Sequence, residues 1–220
     1  MKNRGHLVGI LFVGVQLCLY LLFLFVLTGR AVSIVQFASI CLCFVFALLF
    51  SPKCTDSQKL KLALLFTLAA DFFLVILQKH FLVAVIIFSF AQLCYISRIR
   101  NRAVFISLPL TVAALMLLSS LIIGGADVLV LAGCAYFGTL INAAVFAWLS
   151  KNRRFALGMT LFLCCDIFVA LSNSANYINI DTSFLARLPI DPIWAFYLPA
   201  QVLLAMSAKE EKNENPQATR

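Results

Sequence analysis

Charge is scarce in this 220-residue chain: 12% of residues are Asp, Glu, Lys or Arg, whereas 63% are hydrophobic. Soluble domains run near 45–50% apolar and about 25% charged, so a water-soluble globular domain is excluded. Histidine is almost missing. His6 and His80 fall at opposite ends of the expected topology, which leaves no Ser-His-Asp triad and no HExxH zinc helix. Neither a GxSxG nucleophile elbow nor a phosphate-cradling P-loop is present. The eight cysteines form no CxxC pair, and all but Cys54 lie within apolar runs. They read as small apolar packing residues rather than disulfide partners or zinc ligands. The period-2 alternation of a transmembrane barrel is also lacking.

Long apolar runs fill the space that charge leaves, with a mean hydropathy of +1.02. They span approximately 7–27, 31–51, 60–78, 80–97, 104–123, 127–149, 155–172 and 192–207. Only helices of about 20 residues satisfy their own backbone in lipid. The expected fold is therefore all-α, a polytopic bundle of eight transmembrane helices over residues 1–208. The first run has no cleavage site and reads as a retained helix. The polar stretch 209–220 reads as a disordered cytoplasmic tail. The segment 173–191 is the one long connection, either a cap or an interfacial turn.

Basic residues alternate with these runs. With eight spans, 14 of the 17 Lys and Arg fall at the N-terminus, the loops 52–61, 98–103 and 150–154, and the C-terminus. Arg30, Lys79 and Arg187 fall on the other side. The positive-inside rule then places both termini in the cytoplasm of a bacterial inner membrane or its equivalent. The net charge of +8 is thereby spread over short loops and forms no nucleic-acid-binding domain.

Two aspartates break the apolar runs: Asp71 in "LLFTLAADFFLVIL" and Asp166 in "GMTLFLCCDIFVAL". An aspartate at the centre of a spanning helix costs about 2.5–3.5 kcal/mol on insertion scales, so such residues usually mark function. Leu68 and Phe73 flank the first as Leu163 and Phe168 flank the second, and each following helix carries Ala-Gln, at Ala91-Gln92 and Ala200-Gln201. A parallel four-plus-four repeat is one reading; chance similarity among apolar helices is the other. Both aspartates are expected roughly 16 Å from the cytoplasmic end, with Gln92 and Gln201 at roughly 10 Å. Tyr95 shares a face with Gln92, and Asn142 adds an amide from the sixth helix. The glutamines and Asn142 could equally serve as interhelical glue. Tyr197 by itself reads as an interfacial anchor. Gly124-Gly125 reads as a turn, and Gly133 and Gly138 as points of close helix packing.

The motifs Ala70-Asp71, "QLCY" from Gln92 to Tyr95, "GMTLFLCCD" from Gly158 to Asp166 and "YLPAQ" from Tyr197 to Gln201 resemble those of the YhhN/TMEM86 family, the lysoplasmalogenases. Three positions depart from that pattern: Ala70 replaces a glycine, Cys165 a serine, and Gln92 a histidine. The resemblance implies hydrolysis of the vinyl-ether bond of a lysoplasmalogen to a fatty aldehyde and a glycerophospho-alcohol. It implies Asp71 and Asp166 as catalytic residues, and Gln92, Tyr95, Gln201 and Tyr197 as substrate-binding residues; Asn142 is a further substrate-binding candidate from its depth in the sixth helix. Lys61 and Arg98 are candidates for holding the phosphate. No cofactor or metal ion is expected; the partners are a lysophospholipid substrate and membrane lipids, with no nucleic acid. Two carboxyls suit such chemistry, as in glycosidases, where one donates a proton and the other stabilises the cation or activates water. The alternatives are a proton-coupled transporter of a small or lipid-like solute, and a lipid-binding component whose aspartates serve assembly.

Overall fold

A computed structural model describes residues 2–99, 101–123 and 127–208. The expected turn at Gly124-Gly125 and the tail 209–220 lie outside the described residues. Among those residues the chain is entirely helical: α1 (Lys2–Phe25), α2 (Arg30–Phe50), α3 (Thr55–Asp71), α4 (Phe81–Ile96), α5 (Ala103–Ile123), α6 (Val128–Ala147), α7 (Arg153–Ser174), α8 (Ser183–Ala186) and α9 (Pro192–Ala205). A π-helical segment, Phe72–Leu77, continues α3, and a short 3-10 turn, Trp148–Ser150, continues α6.

Six helices are long and apolar enough to cross a membrane, and α4 and α9 are shorter apolar helices of 16 and 14 residues. The chain is a multi-pass membrane protein. The connection 173–191 differs from a plain loop in holding the four-residue α8.

Several helices begin before or after their apolar runs, and the caps explain why. The Cys54 thiol accepts from the Ser57 amide, starting α3 at Thr55 rather than near residue 60. Asn152 caps α7 through the Phe155 amide. Asp191 accepts from the Ile193 amide, with Pro192 at the first position of α9. Such residues satisfy amides that the first turn leaves without a helical partner. Hydropathy marks where lipid begins, whereas caps mark where the helix begins.

Packing makes a ring. α2 packs on α3, α3 on α4, α4 on α6, α6 on α7, α7 on α9, and α9 on α2 again. α1 lies against the outside of α2 and α5 against the outside of α6. Only Val104 of α5 is buried. The outer helix α1 is fastened by polar contacts: Gln16 donates to the Ser39 carbonyl at 2.9 Å and to the Cys43 sulfur at 3.2 Å, and the Tyr20 hydroxyl donates to the Ala195 carbonyl at 3.2 Å.

The basic end of the ring is locked. Arg98, at the end of α4, forms a two-pronged ion pair with Asp56 at 2.9 Å for each prong. It also donates to the Ser207 hydroxyl and carbonyl beyond α9 at 3.0 and 2.9 Å, and its guanidinium lies 4.4 Å over the Phe155 ring of α7. Asn152 donates to the same Ser207 carbonyl at 2.7 Å. One side chain thus ties α3, α4, α7 and α9 together, using the fork geometry that suits arginine to carboxylates.

Candidate active site

Asp71 is the last residue of α3 before the π segment. The wider π turn is uncommon and recurs at functional sites, where it re-aims side chains. The Asp71 side chain is 2% exposed and accepts a 2.5 Å hydrogen bond from the Tyr197 hydroxyl of α9. Tyr197 is therefore a buried partner of the aspartate, and the expectation of an interfacial anchor is corrected. Its hydroxyl is turned inward because an ionisable neighbour offers a better partner than the lipid interface.

Asp166, on α7, stands in a parallel arrangement. It accepts a hydrogen bond from the Tyr136 hydroxyl of α6, and the Cys165 thiol lies within its reach. The site thus comprises two aspartates, each held by a tyrosine from another helix. Tyr136 was not singled out in the sequence. The only signal for it was a hydroxyl at mid-depth in an apolar helix.

Gln92, Gln201 and Tyr95 are fully buried on the basic side of this pair. Among the described residues no partner stands at good hydrogen-bond geometry to either amide atom of Gln92 or Gln201, or to the Tyr95 and Thr67 hydroxyls. Buried polar groups are normally paired, so each exception calls for an explanation. Gln92 lies beside Tyr136 and Tyr95 beside Thr67, which joins this layer to the aspartate layer.

Asn142 is placed differently. Its carbonyl accepts from Ser107 at 2.6 Å and its amide donates to the Gly138 carbonyl at 2.8 Å, so it sits on the seam between α5 and α6. Arg98 is not available for a phosphate, since its donors are committed to Asp56 and Ser207. Gly138 does allow close packing: a Cβ there would come within 2.7 Å of Val112. Gly133 does not, for a Cβ would meet nothing within 4 Å.

The helix ends give the axial levels of the two aspartates. Asp71 closes a 17-residue helix, roughly 24 Å from Thr55 at about 1.5 Å per residue. Only the six-residue π segment separates it from the opposite end. Asp166 lies roughly 20 Å from Arg153 and roughly 12 Å from Ser174. Both aspartates are thus nearer the end opposite the basic loops, while the caps carry α3 and α7 beyond their apolar runs at the basic end.

Among the described residues no group of three or more His, Cys, Asp or Glu is placed to hold a metal ion. The arrangement can hold a proton on one carboxyl, present a second carboxyl to a developing cation, and offer neutral amides and hydroxyls to water or substrate hydroxyls. The family model described as the YhhN family matches residues 31–208, a span that includes every one of these groups. No curated protein and no solved structure matches.

Proposed function

The chain belongs to the YhhN family, and from that premise we propose that it is a lysoplasmalogenase-like hydrolase acting by carboxyl acid–base catalysis. The observation that carries this reading is the pair of aspartates from α3 and α7, each bonded to a tyrosine of another helix inside an otherwise apolar ring. A carboxyl costs several kcal/mol in such a setting, so two of them in one apolar ring suit a reaction better than a scaffold.

In this reading one carboxyl delivers its proton to the vinyl carbon remote from the ether oxygen. The resulting oxocarbenium ion is stabilised by the other carboxylate. Water adds at the cationic carbon, the carboxylate accepts its proton, and the hemiacetal collapses to an aldehyde and the glycerophospho-alcohol. The logic parallels glycoside hydrolysis. Tyr197 and Tyr136 orient the carboxyls, while Gln92, Gln201 and Tyr95 orient water or the substrate hydroxyl.

Eight spans with both termini cytoplasmic are part of this proposal. Packing of α4 and α9 within the ring, and the alternation of basic loops, support it. The parallel repeat has support from the order of contacts: exchanging α1–α4 for α5, α6, α7 and α9 leaves the ring unchanged, with α1 and α5 both outside. That exchange carries Asp71 onto Asp166 and Gln92 onto Gln201.

The test is mass spectrometry of products after purified protein meets a panel of lysolipids in vinyl-ether, alkyl-ether and ester forms. Aldehyde from the vinyl ether alone is expected. Uptake of a solute into proteoliposomes with no product from any lysolipid would favour the transporter instead.

A further inference from the structure

The ring is packed unequally along its axis. All seven buried residues of α7 lie between Phe155 and Asp166, and none follows. The seven buried residues of α6 lie between Gly138 and Ala147, and none precedes Gly138. Burial on α3 runs to Asp71 and stops at the π segment. On α3, α6 and α7 the two aspartates therefore mark a boundary, whereas burial on α4 and α9 continues past it at Ala84 and Trp194. On the basic side the interior is dense: one turn before Asp166, on the same face, Phe162 is 0% exposed. One turn after it, again on the same face, Ala170 is exposed.

Glycines report the same contrast. A Cβ at Gly158, two turns toward the basic end from Asp166, would come within 2.9 Å of Leu204. A Cβ at Gly133, one turn beyond Tyr136 in the other direction, would meet nothing within 4 Å. At the basic end Arg98, Asp56 and Ser207 tie α3, α4 and α9 together, beside a surface pocket lined by Lys151, Asn152, Arg154 and Met206. At the other end Tyr20 donates a hydrogen bond to the Ala195 carbonyl, which ties α1 to α9 on one side of the ring.

We propose that substrate reaches Asp71 and Asp166 from the end of the bundle opposite the basic loops, as a single-chain lipid drawn from that leaflet. The frame of this mouth consists of the π segment, the first half of α6 and the last third of α7. Apart from Ser172, Asn173 and Ser174 at its rim its residues are mostly apolar, including Phe72, Leu77, Leu131, Ile167 and Val169, all exposed. Such a wall suits an acyl or alkenyl chain and gives a free ion or sugar nothing to bind. The sealed, amide-lined layer of Gln92 and Gln201 lies beyond the aspartates. A lipid entering through the mouth would meet the carboxyls first. This rests on the reading of the aspartate pair as the site.

Access is tested by thiol labelling that does not depend on turnover. A cysteine is introduced as Ala170→Cys in the full chain reconstituted into vesicles, and labelled with a charged, membrane-impermeant thiol reagent. The modified peptide is identified by mass, so native cysteines do not interfere. Thr182→Cys marks the far side and Lys151→Cys the basic side. Labelling of Ala170→Cys is expected in vesicles whose Thr182→Cys is accessible, slowed at least fivefold by a non-hydrolysable alkyl-ether lysolipid. Labelling only where Lys151→Cys is accessible, labelling from neither side, or labelling unaffected by the lysolipid would overturn the proposal. Expected labelling in a protein that releases no aldehyde would keep the entrance and remove the hydrolase reading.

Discussion

The Tyr197 hydroxyl donates a 2.5 Å hydrogen bond to Asp71, across 126 positions of sequence. It joins α9 to the last α-helical residue of α3, while Tyr136 does the same for Asp166 from α6. Each carboxyl therefore owes its direction to a helix other than its own. If the tyrosines position the carboxyls, Tyr197→Phe and Tyr136→Phe lower kcat by roughly 10²-fold with KM little changed, the scale of a displacement of about 1 Å. Stability should fall by only about 1 kcal/mol each, the net worth of one hydrogen bond. Steady-state kinetics beside thermal unfolding in detergent separates the two effects. Equal loss of folding and activity would assign the tyrosines to structure alone.

Arg98 carries the opposite expectation. Its side chain is 2% exposed and that of its partner Asp56 21%. Removing one member of a buried pair costs about 3–5 kcal/mol, and the partial exposure of Asp56 argues for the lower end. Arg98→Ala should lower the unfolding temperature markedly, whereas Arg98→Lys should restore only part, lacking the fork. An unchanged unfolding temperature in Arg98→Ala would show that the basic end is not locked as described.

Two glycine substitutions probe the uneven packing. Gly158→Ala would press a methyl against Leu204 at 2.9 and 3.0 Å and the Ala200 carbonyl at 3.3 Å. Overpacking of this kind typically costs about 1–3 kcal/mol. Gly133→Ala enters open space and should be neutral or slightly stabilising, as alanine favours helix by up to about 1 kcal/mol. Thermal midpoints measured side by side give the contrast. A destabilised Gly133→Ala with a neutral Gly158→Ala would contradict the packing gradient.

Much of the site was legible in the sequence, for a clear reason. A carboxyl or amide inside a long apolar run stands out against its surroundings, which is how Asp71, Asp166, Gln92 and Gln201 were found. Tyrosine does not stand out in the same way, because its ring belongs in apolar helices anyway. Tyr136 was thus missed and Tyr197 was read as an interfacial anchor. The run "FFLVIL" continues a helical pattern without a break, so nothing in it announces a π segment. Arg98 looked like an ordinary rim cation because its partners, Asp56 and Ser207, are distant in sequence. The starts of α3 and α7 were not legible from the apolar runs because helix caps, not hydropathy, set them.

The most direct measurement is aldehyde release from lysoplasmalogen by the purified protein and by its Asp71→Asn and Asp166→Asn variants. Asparagine keeps the shape of the side chain but cannot pass on a proton, a role worth typically 10²–10⁴-fold. The account predicts aldehyde from the wild type and a loss of at least about 10²-fold in each folded variant. Wild-type turnover in both variants would contradict it.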